Sequence, residues 1–253
     1  MLNESPKLAN ASPWKSAWHS EKRLAILLGL SALFAAMRAV GLLGPSSLRA
    51  LLPLSFCLMM ATPWIFLTAQ GRRDIGLQRA LSWRYLVPAC AIGVLAALIC
   101  FWAGVLLFGH SQDNWFISIA NNYRNTLDTS YLTMLQLHLF FTIPALLFSP
   151  LGEEIYFRGV LQSALEERCS VRHASVIEAS IFGLIHLCHH GLLPVATGIF
   201  LLPLSGALWV VLMFAVALLF AFLRKRSASL YPAVAAHGFF NLSMNTAIFA
   251  WLW

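Results

Sequence analysis

What most limits how this chain can fold is a series of apolar runs, each close to the length needed to cross a bilayer. They lie at Leu24–Leu43, Ala50–Ala69, Tyr85–Gly109, Leu132–Leu151, Ala174–Cys188, Ala207–Leu223 and Leu230–Trp253. About 20 apolar residues in a helix cross roughly 30 Å of hydrocarbon, where every backbone N–H and C=O must find its partner within the protein. The expected fold class is therefore all-α, a polytopic transmembrane helical bundle of about seven spans, with six and eight as bounds. The fifth run is short and needs its flanks to complete a crossing. The stretch Gly191–Ser205 is also apolar, but Pro194, Pro203 and two glycines interrupt it, which predicts a loop or re-entrant piece.

Composition agrees with the runs. Of 253 residues 59% are hydrophobic and 11% charged, too little polar cover for a water-facing surface of that size. Basic residues then give an orientation, because Lys and Arg collect on the cytoplasmic side of short loops. With the N-terminus cytoplasmic, fourteen of the seventeen fall inside: Lys7, Lys15, Lys22, Arg23, Arg72, Arg73, Arg79, Arg84, Arg158, Arg168, Arg172, Arg224, Lys225 and Arg226. Arg49 and Arg124 fall outside, and Arg38 lies within the first span. The net charge of +7 is thus explained by anionic inner-leaflet headgroups and calls for no nucleic acid. The chain reads as a multi-pass protein of the cell membrane, the inner membrane of a bacterium, with no cleaved signal peptide and no separate soluble domain. Five cysteines without a CxxC pair, mostly in apolar runs, indicate packing and neither a disulfide framework nor a thiolate metal site.

Three polar patterns stand against this apolar background. Ionisable groups at membrane depth are costly, so adjacent carboxylates, an arginine and two histidines there point to a functional site. The first is Glu153-Glu154 with Arg158. Pro150 suits a helix start, which predicts that the fourth span kinks or restarts there, with helix from Glu153 to about Glu167. Neighbouring helical residues point about 100° apart, so the two carboxylates have different jobs. Glu154 and Arg158, four apart on one face, would fix the helix and its charge balance, leaving Glu153 to project as a general base. The alternative is an ordinary acidic helix start.

The second pattern is Phe182 with His186; the third is His237 with Asn241, one turn apart on a single face. Two donors so aligned can cradle a developing oxyanion, and the alternative for both patterns is plain interhelical hydrogen bonding. Glu178 is expected to bond another span, and His189 and His190 to be interfacial and inert.

The ordered set EExxxR, FxxxH, HxxxN, together with Ser229-Leu230-Tyr231-Pro232-Ala233-Val234-Ala235-Ala236-His237 before the last motif, resembles the CAAX protease and bacteriocin-processing (CPBP, Abi) family of intramembrane proteases. The resemblance covers roughly 132–253. It implies that Glu153 and His186 activate the attacking water, that His237 and Asn241 stabilise the oxyanion, and that Glu154 and Arg158 support the site. The chain is expected to comprise a cytoplasmic tail (1–23), N-terminal transmembrane helices (24–130) and a transmembrane core (131–253) that the resemblance implies is catalytic. The implied function is an intramembrane endopeptidase acting on a membrane-anchored protein or peptide, in peptide maturation or C-terminal sorting-signal processing. No cofactor is implied, with zinc as the alternative, since two histidines and a glutamate are ligands it accepts. The site is expected in a cleft open to the inner aqueous side. A proton-coupled transporter, or a non-catalytic membrane immunity or scaffold protein, would also place Glu, His and Arg at membrane depth. A transporter predicts internal symmetry, which the sequence lacks, and a scaffold would tolerate Glu153→Gln.

Overall fold

The computed structural model describes residues 12–18, 20–77, 82–124, 131–195 and 198–253. Its elements in order are α1 (Ser20–Leu43), α2 (Leu51–Phe66), α3 (Ala69–Asp74), α4 (Trp83–Phe108), α5 (Trp115–Arg124), α6 (Met134–Glu153), a π-helical segment (Glu154–Leu161) and α7 (Gln162–Glu166). Then come α8 (Val171–Ile185), β1 (Leu192–Val195), β2 (Gly198–Leu201), α9 (Pro203–Ser227) and α10 (Tyr231–Ala247), which ends in a π turn. The fold is an all-α polytopic helical bundle, apart from one short hairpin. The expected loop at Gly191–Ser205 is in fact that antiparallel pair, with Leu192 opposite Leu201 and Val195 opposite Gly198.

Six helices among the described residues are long and apolar enough to cross a membrane, the longest running unbroken from Met134 to Glu166. The seventh expected run is α10. A stripe of His237, Asn241 and Asn245 lowers its hydropathy, and α4, α6 and α9 enclose it where lipid would enclose the others. The helix does not restart at Pro150. The helix passes through Pro144 and Pro150 and changes pitch at Glu154, where the wider π segment begins. Such π insertions are rare and gather at functional sites.

Local signals set the helix ends. Thr133 and Gln136 form a reciprocal capping box at α6, and Ser170 caps α8 through the His173 N–H. Pro203 occupies the first turn of α9, where a missing N–H costs nothing.

The core divides into two apolar clusters. One joins α1, α2, the π segment and α8 around Phe34, Phe56, Tyr156 and Phe182. The other joins α4, α5, α9 and α10 around Phe101, Trp115, Trp209 and Phe220. Large apolar side chains such as Leu95, Ile99, Leu106 and Phe222 point outward, as expected of a surface that lipid covers.

The basic residues mark one end of the bundle. Arg23 and the Trp14 indole engage Glu167, Lys225 engages Glu166, and Tyr231 Oη donates to Leu77 O at 2.9 Å, tying the ends of α1, α7, α9 and α10 together. Lys7 and Arg79 lie outside the described residues. Arg158, counted among the inner basic residues, is fully buried mid-helix, where the expected pairing with Glu154 holds it.

Candidate active site

The site forms at the seam between the two clusters, and each helix delivers its polar residues by helical spacing. On α1, Arg23, Leu27, Ser31, Phe34 and Arg38 recur every three or four residues and make one buried stripe. Ser31 Oγ lies 2.9 Å from Tyr156 Oη, Phe34 packs edge-on against the Tyr156 ring, and Arg38 reaches the reacting groups. On α10, His237, Asn241 and Asn245 make a second stripe.

Close helix approach sets the depth of both motifs. A Cβ on Gly93 of α4 would lie 2.0 Å from the backbone oxygen of Ala236, next to His237. One on Gly152 would lie 2.8 Å from Phe56 O, next to Glu153. Only glycine lets these backbones meet.

Glu153 and Glu154 face different partners. Arg38 Nη2 donates to Glu153 Oε1, and Ser149 Oγ lies 3.4 Å from the same oxygen. Glu153 Oε2 is buried with no hydrogen-bond partner in the protein and lies 4.0 Å from both His186 Nε2 and His237 Nε2. That spacing is too long for a direct bond and right for one bridging water. Glu154 Oε1 instead pairs with His237 Nδ1 at 2.8 Å and Arg158 Nη1 at 3.2 Å.

The hydrogen bonds fix the imidazole tautomers. Phe182 O can only accept, so His186 Nδ1, 2.7 Å away, carries the proton; Arg38 Nη1 can only donate, so His186 Nε2, 3.3 Å away, offers its lone pair. His237 Nδ1 likewise donates to the Glu154 carboxylate, which turns its Nε2 toward Glu153.

Phe182 packs against both Arg158 and His186. Arg158 lies over its ring at 4.1 Å from the centroid, while His186 packs against the same ring at 4.3 Å. Behind it, Glu178 Oε1 stands 3.6 Å from Arg158 Nε, the bond between spans expected of that carboxylate. Asn241 Nδ2 donates to Ala145 O at 2.9 Å, leaving its second N–H on the same face as His237.

All six expected residues thus gather in one region. Arg38 was missed, although its signal was legible: a lone cation inside an apolar run, seven residues from Ser31 on the same face. His189 and His190 are corrected. The first lines the site cavity; the second is buried, with Nδ1 2.9 Å from Ser118 Oγ. Burial holds the His190 imidazole down to about 4, against the pull of Asp113.

A cavity of about 520 Å³ contains Glu153, His186 and His237. It extends along Phe56, Phe148 and Phe140 to Arg49 and Tyr123, toward the α1–α2 connection and α5. That is the end away from the basic residues, the reverse of the expected opening, because the long helix from Met134 to Glu166 carries Glu153 well above the Glu166–Glu167 turn.

Residues 135–243 match the family described as Type II CAAX prenyl endopeptidase Rce1-like. This stretch, less than half of the chain, is similar to that family. The match holds all six motif residues and leaves Arg38 outside. No curated protein and no solved structure matches the chain.

For zinc, the donor types at this site are right, namely a carboxylate and two imidazole Nε2 atoms. Their arrangement is not. The Arg38 guanidinium already bonds Glu153 and approaches His186 Nε2, so a divalent ion would share ligands with a fixed positive charge. The residues as arranged do not fit a metal.

Proposed function

We propose that the chain is an intramembrane endopeptidase that hydrolyses a peptide bond of a membrane-anchored protein or peptide by direct water attack. The observation that carries this reading is Glu153 Oε2 standing 4.0 Å from both imidazole Nε2 atoms within the cavity. Water held there gives its proton to Glu153 as its oxygen attacks the scissile carbonyl carbon, with His186 Nε2 orienting it. The carbonyl oxygen becomes an oxyanion facing His237 and the second N–H of Asn241. Donation from His237 Nε2 requires the imidazolium, and the Glu154 carboxylate on Nδ1 is the counter-ion that supports it. Collapse breaks the C–N bond, and the proton on Glu153 passes to the leaving amine.

The apolar walls suit a lipid-attached or membrane-spanning segment, which must unwind locally to expose its carbonyl. Peptide maturation and C-terminal sorting-signal processing both present such substrates. The protein would reside in the cell membrane with its basic end and N-terminus cytoplasmic.

The test is cleavage of quenched-fluorescent peptides, one prenylated and one carrying a single membrane span, by the full chain in proteoliposomes. Glu153→Gln and His186→Ala should each lower turnover at least about 100-fold, the range of a lost acid–base group, with wild type indifferent to a strong chelator. Wild-type turnover by Glu153→Gln would sink the reading, and a chelator-induced loss restored by zinc would overturn its metal-free form.

A further inference from the structure

Arg38 bonds Glu153 from outside the matched segment. It lies on α1, fifteen residues beyond Arg23 along the same buried stripe, and is 2% exposed. Its two terminal nitrogens have separate tasks, Nη2 on Glu153 Oε1 and Nη1 at 3.3 Å from His186 Nε2. The guanidinium also sits 5.4 Å over the Phe56 ring, and Phe56 is held at depth by the Gly152 contact. A planar fork of this kind is directed by geometry, where a lysine ammonium would be a mobile point charge.

We propose that Arg38 is the positioning residue of the site: it clamps Oε1 of Glu153 so that Oε2 faces both imidazoles, and its fixed charge keeps divalent cations off the same ligands. Without it, a buried carboxylate and two Nε2 lone pairs, one backed by the Glu154 carboxylate on Nδ1, are donors of the types zinc accepts. The arginine therefore decides which kind of chemistry the cluster can do.

The catalytic arm rests on the hydrolase reading above, while the cation arm stands without it. The full chain in detergent is titrated with Co²⁺ alone, following its visible d–d absorption, for wild type, Arg38→Ala, Arg38→Lys and Arg38→Ala/Glu153→Gln. Arg38→Ala should bind at least about 100-fold more tightly than wild type, since a like charge at the ligands has been removed. The double variant should lose the band, locating the ion at Glu153, and Arg38→Lys should stay close to wild type.

On the peptides above, Arg38→Ala should lower kcat about 100-fold with KM little changed, the cost of a misplaced catalytic group, and added methylguanidinium should restore part of it. Thermal melting of Arg38→Lys beside Arg38→Ala separates these effects from misfolding. Equal Co²⁺ affinity in wild type and Arg38→Ala, or no binding by a folded Arg38→Ala, overturns the proposal. If wild type cleaves no peptide, the hydrolase reading fails while the Co²⁺ titration still decides this one.

Discussion

At the scale of single residues, Arg158 shows how this protein tolerates charge at membrane depth. The guanidinium is fully buried and faces two carboxylates, Glu154 and Glu178, with the Phe182 ring over its face. Removing one member of such a cluster strands the others in a medium that cannot solvate them. Arg158→Met should therefore cost about 3–5 kcal/mol, the usual range when one partner of a buried pair is lost. Melting in detergent should fall accordingly, and Glu178→Gln added to Arg158→Met should recover part of the loss, because one uncompensated charge is gone. A melting temperature unchanged in the single variant would mean that water reaches the cluster. Phe182 packs against this structural charge and against His186 alike.

At the scale of elements, the helices and the three motifs were legible because both follow from short-range periodicity. The apolar runs announce helices, and i,i+4 spacing puts His237 with Asn241 on one face. What escaped was whatever depends on how two helices meet. Arg38 gains meaning only because α1 packs beside the π segment, and the π turn itself has no signature in residue types. The hairpin at Leu192–Leu201 was hidden because prolines and glycines in an apolar stretch suit a loop equally well. Glycines at crossings belong to this class. Gly93 is unremarkable in sequence, yet any side chain there would collide with Ala236 O, one residue before His237. Gly93→Val should lower stability by about 1–3 kcal/mol, as overpacking does, and reduce turnover by shifting α10. Gly29→Val, on an outward face of α1 with nothing within 4 Å, is the control and should melt as wild type. Equal melting of the two variants would contradict the α4–α10 crossing.

At the scale of the whole molecule, the two ends differ in charge and in access to the site. One end gathers Lys15, Lys22, Arg23, Arg72, Arg73, Arg84, Arg168, Arg172, Arg224, Lys225 and Arg226; the other has Arg49 and Arg124. If the basic end is cytoplasmic, as inner-leaflet charge favours, the cavity leads from Glu153 toward the opposite aqueous face. The substrate's scissile bond would then enter from outside. In a background with all five cysteines replaced, Gln112→Cys on the α4–α5 turn and Arg226→Cys at the end of α9 are both exposed probes. A membrane-impermeant maleimide applied to bacterial spheroplasts should label Gln112→Cys directly and Arg226→Cys only after permeabilisation. Pro53→Cys, exposed at the cavity's far wall, should lose turnover when labelled from outside with a bulky reagent, because the adduct fills the path to Glu153. Labelled Arg226→Cys should keep its turnover. The reverse labelling pattern would invert the protein in the membrane, and full activity of labelled Pro53→Cys would mean that substrate reaches Glu153 by another route, between helices from the lipid.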